Sequence, residues 1–167
     1  RDQDSLKRNL NMYVLAESTT GRLETANSAL KDNLKTWLNR YRMINDTIDI
    51  LDAKVVNVGI EFEVVSDGTN KFEVLEEATN TLQKKFNRDF FIGERLRITD
   101  IYTALNSARG VSDVTKVKIV NKSGGRYAQT GFNVDNHMSA DGRYIAVPDN
   151  VALEIKFPGT DIRGSVK

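Results

Sequence analysis

The chain has 167 residues, with 24 Lys and Arg against 23 Asp and Glu. The resulting net charge of +1 gives no electrostatic reason to expect nucleic acid or an anionic membrane as partner. With no cysteine, disulfides, thiolate nucleophiles and cysteine-ligated metals are excluded. A chain of this size can bury ~70% of the surface that its unfolded form exposes, so it needs neither disulfides nor metal to fold.

Leu10, Met12, Val14 and Ala16 alternate with Asn11, Tyr13, Leu15 and Glu17, which is the period of a strand with one apolar face. Leu6, Leu10 and Val14, four apart, offer a competing helical reading of the same stretch. A polar turn over residues 18–21 follows. Leu23, Ala26, Leu30, Leu34, Trp37, Leu38 and Tyr41 recur at threes and fours and predict a helix of about five turns with one buried stripe. Thr25 or a near neighbour is its expected cap. On this reading Trp37 and Tyr41 are core residues.

Asn45-Asp46-Thr47 ends the helix, and Ile48 to Leu51 reads as an early arm of the next strand. In that strand Val56, Val58, Ile60, Phe62 and Val64 alternate with Asn57, Gly59, Glu61 and Glu63, which predicts one wet face. After a turn at Asp67-Gly68, Asn70 and Glu73 resemble a capping pair. Phe72, Leu75, Ala78, Leu82 and Phe86 then form the stripe of a second helix.

Phe90-Phe91-Ile92 is an apolar knot, at least one member of which must face away from the core. Thr99 caps a short third helix with Ile101 and Leu105 inside and Gly110 as its stop. Val117 and Ile119 mark another strand. Residues 122–150, polar and glycine-dotted with isolated aromatics, read as an extended arm with a turn at Asp141-Gly142. Val151, Leu153, Ile155 and Phe157 form a last strand, followed by a loose tail after Pro158.

This order implies an α+β fold. Two long helices and one short one pack on one face of a small mixed β-sheet, and an extended C-terminal β arm is appended. Residues 1–121 form the sandwich. Residues 122–167 form the arm and terminal strand, packed on the same domain or on a neighbouring subunit.

Candidates for chemistry are few. His137 is the single histidine, without the H-x-x-x-H spacing of a metal site. Glu61 and Glu63 share a strand face, where solvation is a simpler account than acid–base work. Ser123-Gly124-Gly125-Arg126 lacks the pattern of a phosphate loop and reads as a turn. The expectation is therefore no enzyme, no catalytic residue, no cofactor, no metal and no small-molecule substrate. Phe90, Phe91, Tyr127, Phe132, His137, Arg143 and Tyr144 are expected to touch another subunit.

Ile92-Gly93-Glu94, Leu96-Arg97-Ile98, Asp100-Ile101-Tyr102 and Ala104-Leu105-Asn106 form one recognisable pattern. It continues through Gly110-Val111, Asp113-Val114 and Val117. With a helix ending in Tyr41-Arg42, then Asn45-Asp46-Thr47 and a long strand over 53–65, it resembles the Baseplate J-like family over roughly residues 10–120. Residues 137–157 are similar to the end of the large wedge protein of T-even-type phages. The resemblance implies a structural baseplate wedge protein of a contractile tail, seen as a C-terminal fragment. Such a protein would be assembled in the host cytoplasm and located in the virion. Its implied partners are itself, as a homodimer or ring around the tail hub, and other baseplate wedge proteins. A start at Arg1 rather than Met fits the expectation of a fragment. The alternative is a non-catalytic receptor- or carbohydrate-binding module of a phage tail, and a hydrolase using scattered carboxylates is the third reading.

Overall fold

The structure is a computed structural model that describes residues 8–19, 21–41, 46–68, 70–88 and 90–167. Leu6, Arg42 and Asn45, which entered the sequence reading, lie outside the described residues. The chain separates into two compact units, Arg1–Lys54 and Val55–Lys167. The division thus falls at 54/55 rather than at 121/122. Both units mix helix and strand, and the α+β class holds.

In the first unit, strand β1 (Arg8–Val14) runs parallel to β4 (Asp46–Asp52), with Leu10 opposite Ile48 and Met12 opposite Ile50. The short strands β2 (Ala16–Glu17) and β3 (Leu23–Glu24) form a hairpin between them. Its turn is closed by Gly21 N–H on the Ser18 carbonyl at 2.9 Å, with Gly21 at φ +72°. Leu23 therefore belongs to a strand rather than to the first helix. Helix α1 (Ser28–Leu38) starts where Asn27 Oδ1 accepts the Leu30 N–H at 2.7 Å. Lys31 Nζ then ties the helix to Asp52 of β4 at 2.9 Å.

The expected buried stripe of α1 is not buried. No residue of the helix is buried, Trp37 is 54% exposed, and Tyr41, just past its end, is 71% exposed. Among the described residues of this unit, only Ala26 and Ala53 are buried.

The second unit is built around β5 (Lys54–Ser66). Strand β7 (Val111–Lys122) pairs antiparallel along one edge, and β10 (Ile162–Val166) pairs parallel along the other. Strand β9 (Val151–Glu154) also pairs with β5, so the sheet is mixed. Val56, Val58, Ile60, Phe62 and Val64 are all buried, as their alternation predicts. Helix α2 (Lys71–Lys85) packs on β10 and helix α3 (Ile98–Asn106) on β7, and the two helices pack on each other. The two-stranded pair β6 (Leu96–Arg97) and β8 (Tyr144–Ile145) sits beside α3. The turn α4 (Pro158–Asp161) leads into β10.

Several expectations change here, each for a local reason. Asn70 accepts the Phe72 N–H at 3.1 Å and starts α2 so that Val74, Ala78, Leu82 and Phe86 form the inner row. Phe72 lies ~200° around the helix from Val74, at 100° per residue, and is 82% exposed. Thr99, expected as a cap, lies inside α3, whose flanking Arg97 makes no side-chain cap. The back face of β5 is wet only toward its end. Asn57 and Gly59 are buried there, because residues 128, 154 and 161 cover them.

Of the two expected placements of the 122–150 segment, the structure shows the first: it packs on the same domain. Phe132, Val134, Ile145 and Val147 belong to the core of this unit. Nor is the tail loose. Asp161 Oδ2 accepts the Phe157 N–H at 2.8 Å, and β10 follows with Ile162 buried. Gly164 stands opposite Phe62 in the parallel register, where any side chain would enter the phenyl ring.

Candidate interaction surface

Two surfaces have the chemistry of protein contacts, one in each unit. In the first unit α1 and the residues just past its end present Leu30, Trp37 and Tyr41 outward, with the half-buried Leu34 between the first two. The Trp37 and Tyr41 rings contact each other, with centroids 4.8 Å apart. Lys35 and Arg40, both exposed, flank them. A group of exposed apolar side chains with a charged border is the form of a docking face. Sequence periodicity located these residues and assigned them to the core. The pattern of an amphipathic helix is the same whether its own chain or another one covers the apolar side.

In the second unit a cleft of about 560 Å³ lies between the end of α2, the loop that follows it, and the β6–β8 pair. Its inner wall is Phe86, Phe90 and Leu96. Leu96 and Ile145 face each other across the pair and point into the core, which leaves Arg97 and Tyr144, also opposite each other, on the outer side. The Arg95 guanidinium lies over the Tyr144 ring, 5.2 Å from its centroid.

The loop between α2 and β6 is fixed by a fork of two bonds. Arg88 Nη2 reaches Glu94 Oε1 at 2.5 Å and Arg88 Nη1 reaches Oε2 at 3.1 Å, while the Phe91 N–H donates to Oε2 at 2.8 Å. These bonds hold the Glu94 carboxyl below its usual range, the hydrogen bond from Arg88 contributing most. Arg88 also covers the Phe90 ring at 5.0 Å.

The seven residues expected at an interface do not share one surface. Phe90 is buried and stacks on Phe86 at 6.2 Å, so it supports the cleft from behind and is not available to a partner. Phe91 is the member of the knot that turns outward, 78% exposed. Tyr144 lines the cleft, and the exposed Arg143 precedes it, paired with Asp141 at 3.4 Å. Phe132 is buried, and the half-buried His137 stacks on it at 4.3 Å with Nδ1 2.8 Å from the Asn133 carbonyl oxygen. Tyr127 donates its hydroxyl to Asp161 Oδ1 at 2.5 Å, which raises its pKa, and meets Phe157 edge-on.

Sequence reasoning missed Arg95 and Arg97. Their alternation with the buried Leu96 was the available signal. Of the two glutamates set aside as solvated, Glu61 is exposed. Glu63 is held low by hydrogen bonds from Lys167 and Thr115. Among the described residues no three His, Asp or Glu side chains are placed to share a metal ion, and no helix is long and apolar enough to cross a membrane.

The chain matches no protein-family model and no curated protein.

Proposed function

We propose that this chain is a structural assembly protein that works by holding protein neighbours, as a subunit of a phage tail baseplate wedge. The carrying observation is the first unit: its described residues bury two alanines, while Leu30 and Trp37 on α1 and Tyr41 just past it stand exposed. A two-stranded parallel sheet is ordinarily found only with both faces covered, and a unit of this size has little core to spend on independent stability. A partner on α1 supplies the missing burial. The Baseplate J-like pattern over 92–117 supports the particular setting, a wedge subunit contacting copies of itself and other wedge proteins in the virion.

The test is sedimentation velocity of the full chain over a range of concentrations, with Trp37→Glu beside it. Self-association that weakens at least tenfold in the variant, with the far-ultraviolet circular dichroism unchanged, is the expected result. A strictly monomeric parent, or a variant that associates as well as the parent, removes α1 as the self-contact.

A further inference from the structure

The cleft of the second unit allows the partner's chemistry to be specified. We propose that Arg95, Arg97 and Tyr144 form a receptor for a carboxylate-rich segment of a partner protein. The proposal rests on the assembly reading above and adds a chemical class to it.

Arg95 and Arg97 stand on either side of Leu96 at the start of β6, and both line the cleft, away from the core. Between them Leu96 is buried, which anchors the segment and fixes that direction. Both arginines are exposed, and among the described residues neither has a carboxylate within ion-pair distance. The Tyr144 ring lies under the Arg95 guanidinium, 5.2 Å from its Cζ, and makes a cation–π contact with it. The N–H edge of the guanidinium, the part that matches a carboxylate fork, remains available. Arg88 differs: Glu94 already occupies it, so it shapes the wall and is not a ligand-binding charge.

A protein carboxylate fits this cleft better than a phosphate backbone. Glu94 and Asp100 line the same space, so the positive charge is confined to two adjacent guanidiniums. Nucleic-acid affinity grows with the number of phosphates neutralised and calls for an extended basic stripe. The chain as a whole carries only +1. An acidic side chain set between Arg95 and Arg97, with its neighbour along Tyr144, satisfies the two free forks without bringing a long anionic backbone past Glu94 and Asp100.

The experiment titrates the full chain into fluorescein-labelled hexaglutamate and reads anisotropy. The variants are R95A/R97A and, as a control of equal charge change, K116A/K118A on the exposed side of β7. Saturable binding that R95A/R97A weakens at least tenfold and K116A/K118A changes less than twofold is expected. Equal losses in the two double variants reduce the effect to net charge and overturn the proposal, as does the absence of saturable binding. A single-stranded oligonucleotide of equal charge, or inorganic phosphate, that binds more tightly than the peptide through the same two arginines would assign the site to phosphate instead. Should R95A/R97A lose its fold, the side-chain Nε–Hε resonances of Arg95 and Arg97 in the unsubstituted protein decide. They shift on adding the peptide, or the proposal fails. None of these results depends on α1, so a failure here leaves the sedimentation result standing.

Discussion

Asn57 shows how a polar residue at an apparently solvent-facing strand position can be structural. Its Nδ2 donates to Glu154 Oε2 and its Oδ1 accepts the Ala128 N–H, both at 2.6 Å, and Asn57 and Glu154 are buried. One side chain thus ties β5 to the end of β9 and to the segment after β7. Asn57→Ala removes both bonds, leaving the Ala128 N–H without this acceptor and the buried Glu154 carboxylate short of one donor. A loss of about 3 kcal/mol in unfolding free energy by urea denaturation is expected, since buried polar groups left short of partners cost about 1–3 kcal/mol and charged ones more. The alternation of β5 could not reveal this. Period two separates the faces of a strand, but it does not say whether a polar face meets water or the chain's own carboxylates. At Glu61 the answer is water, and at Asn57 it is residues 71 and 97 positions away.

Among the elements, the loop between α2 and β6 depends on the Arg88–Glu94 fork. Because the folded Glu94 carboxyl is held below its ordinary value, its contribution is fully present above the unfolded pKa. It is lost as pH falls through the lowered folded value. Glu94→Gln should therefore lower stability by about 1 kcal/mol near neutral pH, the upper range for a partly exposed pair. The parent and variant should converge in acid. Thermal melts of both proteins across that range check it; a difference that persists in acid would mean that the glutamine disturbs packing rather than charge. At this scale the sequence was informative across the second unit. β5, α2, α3 and β7 were each legible, and so was the hairpin turn that ends at Gly21. It was misleading at the first helix, whose cap, Asn27, lies near the expected Thr25, but whose apolar residues Leu30 and Trp37 are exposed rather than buried. The cleft was half legible. Phe90 and Tyr144 were identified by their aromatic rings, but Arg95 and Arg97 looked like ordinary surface charges until Leu96 and Ile145 fixed which way they point.

For the molecule as a whole, the division at 54/55 has a direct test. Among the described residues, a fragment covering 55–167 contains every buried apolar residue except Ala26 and Ala53, and it should unfold in one cooperative transition. A fragment covering 1–121 lacks β9, β10, Phe132, Val134, Ile145 and Val147, and should show no such transition. Circular dichroism melts of the two fragments distinguish them, and a folded 1–121 would restore the idea of a separable arm. For the same reason, deletion of residues 122–150 should unfold the second unit rather than merely weaken contacts with neighbours. The parallel pairing of β10 with the middle of β5 also governs when the second unit can become complete. Residues 60–64 are made well before their neighbours 162–166. During synthesis one edge of the sheet therefore stays open until Val166 has emerged from the ribosome. A half-made copy has no finished sheet beneath α2, so the topology itself withholds a mature second unit from any assembly until translation of this segment is over.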